Sequence, residues 1–592
     1  MFAAYGNSCF TLPASARPGY IRTMRWLFNP IFLLCTSVCT AQANRYDVVI
    51  DEIMADPSPS KGLPEAEFVE LKNTSARPVN LNGWKISDAT GTATINGSFM
   101  LQPDSFVIIC STGSRAAFAA LGTTLAVGNF PSLDNSGELL SLRSTDGKLI
   151  HAVQYSRKWY RNDVKSEGGW TLEMTDTRNA CSGAANWQAC TGSQGGTPGK
   201  KNAADGTNPD QASPVILRSY ATDSSIFLLF DEPLDSSGAA LAQNYSVSDG
   251  IGVPRKVTVL PPLFTEVMLT TNYRLQKNKP YTVSAQQISD CSGNTLKSNT
   301  MAKTGIAVLP DPLDLVINEL LFNPKPGGAD YVEIYNRSYN IIDAKELYIA
   351  NRSGNNGLSN LRQVSTENRL IFPDDYLVVT DDMRAVQQHY LVKNPAACVE
   401  VASMPSYPDD RGTVVLLNSA GVIIEELAYD ERWHFKLLDS REGVALERID
   451  YSEPAQDAGN WHSASSSAGY GTPAYRNSQF KAFIQPEKFI TIGPETFSPD
   501  GDGFDDFTTI YYQFPSPGFV CNITIFHPQG MAVRTLTRNA LCGSTGSFRW
   551  DGLDEKGHRL SIGVYVVLIE LFNLEGKTMK FRKAVTLLRK LN

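Results

Sequence analysis

Apolar and polar residues alternate in short runs along most of the chain, with Gly, Pro, Asn and Asp at the breaks. That is the pattern of half-buried strands joined by turns. One longer pattern occurs twice. Asp47-Val-Val-Ile-Asp-Glu52-Ile-Met-Ala-Asp56-Pro57 leads into Glu67-Phe-Val-Glu70-Leu-Lys-Asn73, and Asp314-Leu-Val-Ile-Asn-Glu319-Leu-Leu-Phe-Asn323-Pro324 leads into Asp330-Tyr-Val-Glu333-Ile-Tyr-Asn336. Farther on, Asn186-Trp187 and Gly196-Thr197-Pro198 are answered by Asn460-Trp461 and Gly471-Thr472-Pro473. The offset stays between 263 and 275 residues, so insertions are confined to loops and a unit of about 160 residues has been duplicated.

In the first copy the alternation predicts strands at 48–54, 67–73, 106–110, 138–143 and 149–155, the last two joined by the hairpin signal Asp146-Gly147. The second copy repeats that hairpin at 413–417 and 422–429 around Ala420-Gly421. One short helix is predicted at the same place in each, at 114–121 and 382–391. Between the copies, Ser225-Ile-Phe-Leu-Leu-Phe-Asp-Glu-Pro-Leu-Asp235 and Ile288-Ser-Asp-Cys-Ser-Gly-Asn-Thr-Leu296 mark a further unit. The Pro-rich Leu309-Pro-Asp-Pro-Leu313 is a stiff linker into the second copy. A last unit carries Phe497-Ser-Pro-Asp-Gly-Asp-Gly-Phe-Asp-Asp506, Trp550-Asp-Gly552, Gly557 and Gly563-Val-Tyr565.

These motifs carry three resemblances. The stretch Val49–Asp88 resembles the lamin tail domain in its bacterial form, which implies an Ig-like β-sandwich in an exported multi-domain protein and no catalytic residue. The second copy departs from it where Leu347-Tyr348 replaces the Gly83-Trp84 corner. The middle unit resembles the small bacterial Ig-like domain of surface-layer proteins. The last resembles the Ig-like domain of flagellar hook-capping proteins, related to C-terminal sorting and anchoring domains of type IX secretion. The closing strand, predicted at 579–588, bears Lys580, Arg582 and Lys583, which fit that role or simply guard an edge strand. The expected fold is all-β, tandem Ig-like antiparallel sandwiches behind a signal peptide. Its expected boundaries are 1–43, 45–204, 208–306, 312–480 and 486–592.

Composition narrows the setting. Arg22, Met24 and Arg25 precede the apolar run Ile31–Val38 and then Ala41-Gln-Ala43, a signal peptide with its cleavage site. Met24 is a candidate for the true start. The run is too short to span a bilayer, and neither Cys35 nor Cys39 follows the small residue of a lipoprotein signal, so export with cleavage is expected. Seven cysteines remain, an odd count; Cys181 with Cys190 would close a small loop, and Cys521 with Cys542 would staple two strands. The net charge of −8 offers no footprint for nucleic acid.

No catalytic constellation emerges. The six histidines, His151, His389, His434, His462, His527 and His558, are scattered over different units, and His is the commonest catalytic base. The repeated carboxylates Glu52 and Glu70, and Glu319 and Glu333, lie on neighbouring predicted strands. They either hold a cation or accept hydrogen bonds at strand ends. Trp84, Trp187 and Trp461 read as core, whereas Trp159, Tyr160 and Trp170 are the better candidates for exposed binding aromatics. Asp500, Asp502 and Asp506, with the Phe504 carbonyl, match the early positions of a calcium loop, although Tyr511 stands where an EF-hand has Glu. A plain Asp-Gly turn accounts for the same residues. The expected function is that of a surface-displayed binding or scaffold protein, not an enzyme, with a protein or glycan surface ligand. A metal-dependent nuclease or phosphoesterase using the Glu pairs, and a purely architectural spacer, stay open as alternatives.

Overall fold

The apolar run that opens the first copy forms a strand, Val48–Met54, buried at every position. It has neighbours on both edges, Phe68–Asn73 on one and Leu172–Met174 on the other, both antiparallel. The strand is covered on both faces as well, so its sequence does not alternate, and Asp51 and Glu52 are buried acids within it. The computed structural model describes residues 43–298, 300–481 and 489–589. The signal peptide expected at 1–43 and the junction at 482–488 lie outside the described residues almost entirely. The four units belong to one compact body, Arg45–Asn592.

The fold is all-β. In the first copy a six-stranded sheet runs in the spatial order Trp187–Ala189, Leu172–Met174, Val48–Met54, Phe68–Asn73, Phe106–Ser111, Thr124–Val127. Facing it, a four-stranded sheet runs Leu149–Gln154, Leu139–Arg143, Lys85–Ser87, Thr92–Thr94. The second copy has the same order: Trp461–Ser463, Leu446–Arg448, Leu315–Leu321, Tyr331–Asn336, Tyr376–Thr380, Cys398–Glu400 in one sheet. Its other sheet is Ile423–Asp430, Arg411–Asn418, Leu347–Arg352, Leu358–Gln363. In each copy the last pair of the large sheet is parallel, and the predicted helix fills that crossover. The helix is only Arg115–Phe118 in the first copy, without a side-chain cap. It is Met383–His389 in the second, where the Asp382 carboxylate accepts from Ala385 N at 3.0 Å.

Both copies carry a β-bulge at one position of the central strand. The register slips between Ile50 and Glu52 and between Ile317 and Glu319, leaving Asp51 and Asn318 as the extra residues. Beside each bulge, a backbone amide donates across to the facing sheet. Ile50 N donates to His151 Nδ1 at 2.9 Å, and Ile317 N donates to Glu425 Oε2 at 2.5 Å. Glu425 is itself paired with the buried Arg448 at 2.8 Å.

The middle unit pairs a four-stranded sheet with a three-stranded one. Strict alternation in Ser225–Phe230 turns Ile226, Leu228 and Phe230 inward, each burial contributing roughly 1.5–3 kcal/mol. In the last unit a three-stranded sheet packs on a five-stranded one, around Trp550 set edge-on to Phe497 and Tyr565. Its closing strand, Thr578–Leu587, pairs along one side with Gly563–Phe572 and on the other only with the two-residue Thr496–Phe497. Lys580, Arg582 and Lys583 therefore stand exposed along a largely open edge.

The cysteine pairing differs from the sequence expectation. Cys181 is joined to Cys291 in the middle unit, and Cys190 is a buried thiol. The short loop between Cys181 and Cys190 is occupied by a turn and the strand Trp187–Ala189, which carries Cys190 away from Cys181. Cys521 and Cys542 are buried thiols in contact with each other. Peptide mapping of the non-reduced mature protein is expected to recover Cys181 linked to Cys291 and Cys190 unlinked. A Cys181–Cys190 peptide would overturn this pairing.

Candidate functional site

The two predicted Glu pairs are each part of a set of three. Glu52 lies directly opposite Glu70 on one neighbouring strand and Glu173 on the other; Glu319 lies opposite Glu333 and Glu447 in the same way. All six are fully buried. Sequence reasoning missed Glu173 and Glu447, although Leu172-Glu173 and Leu446-Glu447 sit at the offset of the Asn-Trp motif.

A loop bearing the Gly-Thr-Pro motif closes over each set and supplies three backbone donors. Thr197 N donates to Glu52 at 2.7 Å, Gly199 N to Glu70, and Ala204 N to Glu173 at 2.7 Å. In the second copy Thr472 N donates to Glu319 at 2.8 Å, Ala474 N to Glu333 at 2.5 Å, and Gln479 N to Glu447 at 2.7 Å. The loop lies against the carboxylates: a Cβ on Gly196 would come within 2.8 Å of Glu52 Oε1. Gly199 has φ +83°, and its counterpart Ala474 holds a left-handed φ of 66°, a conformation costing roughly 1–2 kcal/mol for a residue with a Cβ. An Asn fastens the far end of the loop. Asn202 donates to the Asp51 and Met174 carbonyls at 3.1 and 3.0 Å, and Asn477 to those of Asn318 and Arg448 at 2.9 Å each.

Burial pushes five of these acids up. Glu52 rises to about 8 and Glu70 to about 10, with neighbouring carboxylates adding to the effect of burial. Glu319 rises to about 8 and Glu447 to about 7, and Glu333 is displaced upward as well. All six carboxylates are shut off from solvent and engaged by the amides of their own loops.

The other motif residues are also spent internally. Asn73 and Asn336 end their strands by donating to the backbone carbonyls of Arg77 and Leu101, and of Asn340 and Ile371. His151 and His434 are buried and pushed down to about 4 and about 3 by desolvation. Trp84, Trp187 and Trp461 are buried as expected. The aromatics expected to be exposed are not free platforms. Tyr160 is buried with its hydroxyl on the Trp170 carbonyl at 3.0 Å, Trp159 packs on Trp187, and Lys165 lies 4.4 Å over the Trp170 ring.

In the loop of the last unit, Asp500, Asp502 and Asp506 each bring one carboxylate oxygen within 4.8 Å of the others. Asp506 accepts from Gly501 N at 2.6 Å and Gly503 N at 2.9 Å, while Asp502 accepts from Phe504 N at 2.9 Å. Those N–H donors hold the Asp506 carboxyl below its usual range. A second acidic trio absent from the sequence reading, Asp210, Glu232 and Asp290, converges within 4.8 Å where the first copy meets the middle unit.

Each copy also carries an open cleft at an equivalent place on its large sheet. In the second it measures about 1030 Å³ and is lined by Tyr335, Asp374, Tyr376, Lys393, Tyr475 and Arg476, with Ser547 of the last unit opposite. In the first it measures about 650 Å³, and Lys72, Asp104, Phe106 and Lys201 occupy the positions of Tyr335, Asp374, Tyr376 and Arg476.

The family model of the Lamin Tail Domain matches residues 41–157. No protein among the curated sequences matches the chain. Among solved structures, the N-terminal part of the bacterial S-layer protein SbsC is 18% identical, covering 28% of this chain and 45% of that one, with a TM-score of 0.15. PorZ, a surface component of the type-IX secretion system of Porphyromonas gingivalis, is 10% identical, covering 88% and 85%, with a TM-score of 0.16. The chain spans about half the length of the S-layer structures it matches. These scores carry no inference about its activity. Among the described residues no helix is long and apolar enough to cross a membrane.

The closure of the loop over the carboxylates sets an expectation for Asn477. Asn477→Ala removes its donors to two buried carbonyls, which costs about 1–3 kcal/mol for each group left unpaired. Calorimetry of the full chain should show the transition of the second copy at lower temperature and that of the middle unit unmoved. An unchanged thermogram would mean that Asn477 does not hold the loop.

Proposed function

We propose that the chain is an exported, non-catalytic surface protein that binds a glycan through the cleft of its second copy. The observation that carries this reading is the fate of the repeated carboxylates: in both copies the Glu cluster is fully buried and engaged by its own loop. Catalysis needs a base within reach of substrate. That cleft supplies what a sugar needs: Tyr rings for its apolar face, and Ser, Asp, Lys and Arg groups for its hydroxyls. The second copy is read as a second lamin tail domain, on the strength of its identical strand order. The last unit is read as a sorting or anchoring module, on its Trp-Asp-Gly motif and open basic edge.

The mature chain on a glycan array is expected to bind a restricted set of saccharides, and Tyr376→Ala combined with Arg476→Ala should remove that signal by tenfold or more, roughly the loss of 1.4 kcal/mol. Absence of any glycan signal would defeat the ligand assignment. Hydrolysis of nucleic acid, phosphoester, peptide or glycan that Glu52→Gln or Glu333→Gln abolishes without unfolding would defeat the non-catalytic reading.

We also propose that the loop at 500–506 takes calcium, with Asp500, Asp502, Asp506 and the Phe504 carbonyl as ligands. Three carboxylates already converge, and calcium accepts six to eight oxygens in flexible geometry. Added calcium should raise the unfolding temperature of the last unit in the full chain, and Asp502→Asn with Asp506→Asn should remove the rise. Identical thermograms in calcium and chelator would leave only a turn.

A further inference from the structure

In the second copy every oxygen of Glu319, Glu333 and Glu447 accepts a hydrogen bond. Tyr331 and Thr472 serve Glu319, and Asn318 donates through Nδ2 to Glu333 Oε1 at 2.6 Å. The Glu333 Oε2 is served by Ala474 N, and Glu447 by Thr472, Ser478 and Gln479. The first copy has lost two of these donors. Phe68 stands for Tyr331, and the bulge residue Asp51 stands for Asn318. Three fully buried oxygens are left without a donor there: Asp51 Oδ1, Glu52 Oε2 and Glu70 Oε1. Leaving a buried acceptor unpaired costs about 1–3 kcal/mol, more if charged.

We propose that the first copy holds a bound proton on Asp51, shared with the Glu52 and Glu70 oxygens, in the place where the second copy uses the Asn318 amide. A protonated carboxyl has one O–H donor and so does chemically what the amide N–H does. Asp51 is otherwise anomalous: an acid at 1% exposure, on a central strand, whose charge is felt by Glu52 and Glu70. The charged groups around it are Lys72 on the adjacent strand, Glu173 on the other neighbour, Asp104 in the turn before Phe106–Ser111, and Asp205 beyond the loop. Glu70 faces Glu52, Asp51 and Glu173. Lys72 is the single cation among them, and its ammonium also lies 3.3 Å from Asp104.

The consequence is a pH-sensitive clasp. Burial lifts Asp51 from 3.8 to about 7 and Glu70 from 4.5 to about 10. Between these limits the unfolded chain has released protons that the folded copy still holds. The stability these two acids contribute is therefore full below about pH 4 and falls as pH rises, with the Asp51 part lost by about pH 7. Loss of the Asp51 proton leaves a buried negative charge beneath the Gly196-Thr197-Pro198 loop, which should open first.

Hydrogen exchange of the full chain by mass spectrometry tests this, comparing peptides over 48–54 and 195–204 with those over 315–321 and 470–479. Burial raises the acids of both copies, so the diagnostic is the effect of Asp51. After correction for intrinsic exchange, protection of the first copy should fall about tenfold more per pH unit between roughly 5 and 7 in the wild type than in Asp51→Asn. Asn318→Asp should transfer that extra loss to the second copy. Equal pH slopes in wild type and Asp51→Asn would overturn the proposal, as would a stably folded Asn318→Asp protein without the added slope.

Discussion

Three carboxylates side by side on adjacent buried strands have to be satisfied from outside the sheet, because a sheet spends its own N–H groups on its ladder. In each copy the donors come from one loop, which gives three backbone amides to three Glu side chains and then ties itself down through Asn202 or Asn477. The strand that opens the copy and the segment that closes it are thereby joined, although about 150 residues separate Glu52 from Thr197. The cost of an unsatisfied buried acceptor exceeds the net gain of a typical hydrogen bond, about 1–3 against about 1 kcal/mol. Glu and loop therefore stand or fall together, and this explains why both motifs survive the duplication.

Other positions show how much chemistry can change while the geometry holds. The amide beside the bulge is received by His151 in one copy and by Glu425 in the other. Where Glu425 stands, Arg448 accompanies it; where His151 stands, the position of Arg448 is Met174. A buried carboxylate needs a partner charge, whereas a neutral imidazole does not. The pair of residues changed as a unit, and the bulge stayed.

The units meet through polar seams. Cys181–Cys291 and hydrogen bonds from Ser292 to Asn179 and from Ser182 to Asp210 join the first copy to the middle unit. Asn278 bonds Asn340 and Ile341 across the next boundary. Against the last unit, Phe435 packs on Val520 and Leu541 while Ser466, Ser467 and Gln479 bond to Leu541, Tyr512 and Cys542. The larger cleft sits at this last seam, so the last unit helps to shape it.

Local pattern alone was enough for the all-β class, the duplication, most strands of the two copies and the internal Trp residues, because period-two alternation and turn chemistry are short-range properties. It also marked Glu52, Glu70, Glu319 and Glu333 as a matched set. What it could not supply was their surroundings. Glu173 and Glu447 lie about 120 residues along the chain from the acids they face, and only strand order makes them neighbours. The same holds for Cys181, whose partner is 110 residues away rather than in the adjacent loop. Exposure was equally out of reach: Tyr160 reads as a loop aromatic, yet its hydroxyl is drawn inward by the Trp170 carbonyl. Whether a carboxylate is a ligand or an anchor depends on which donors the folded chain brings to it, and those donors are set by tertiary contacts between segments far apart in sequence.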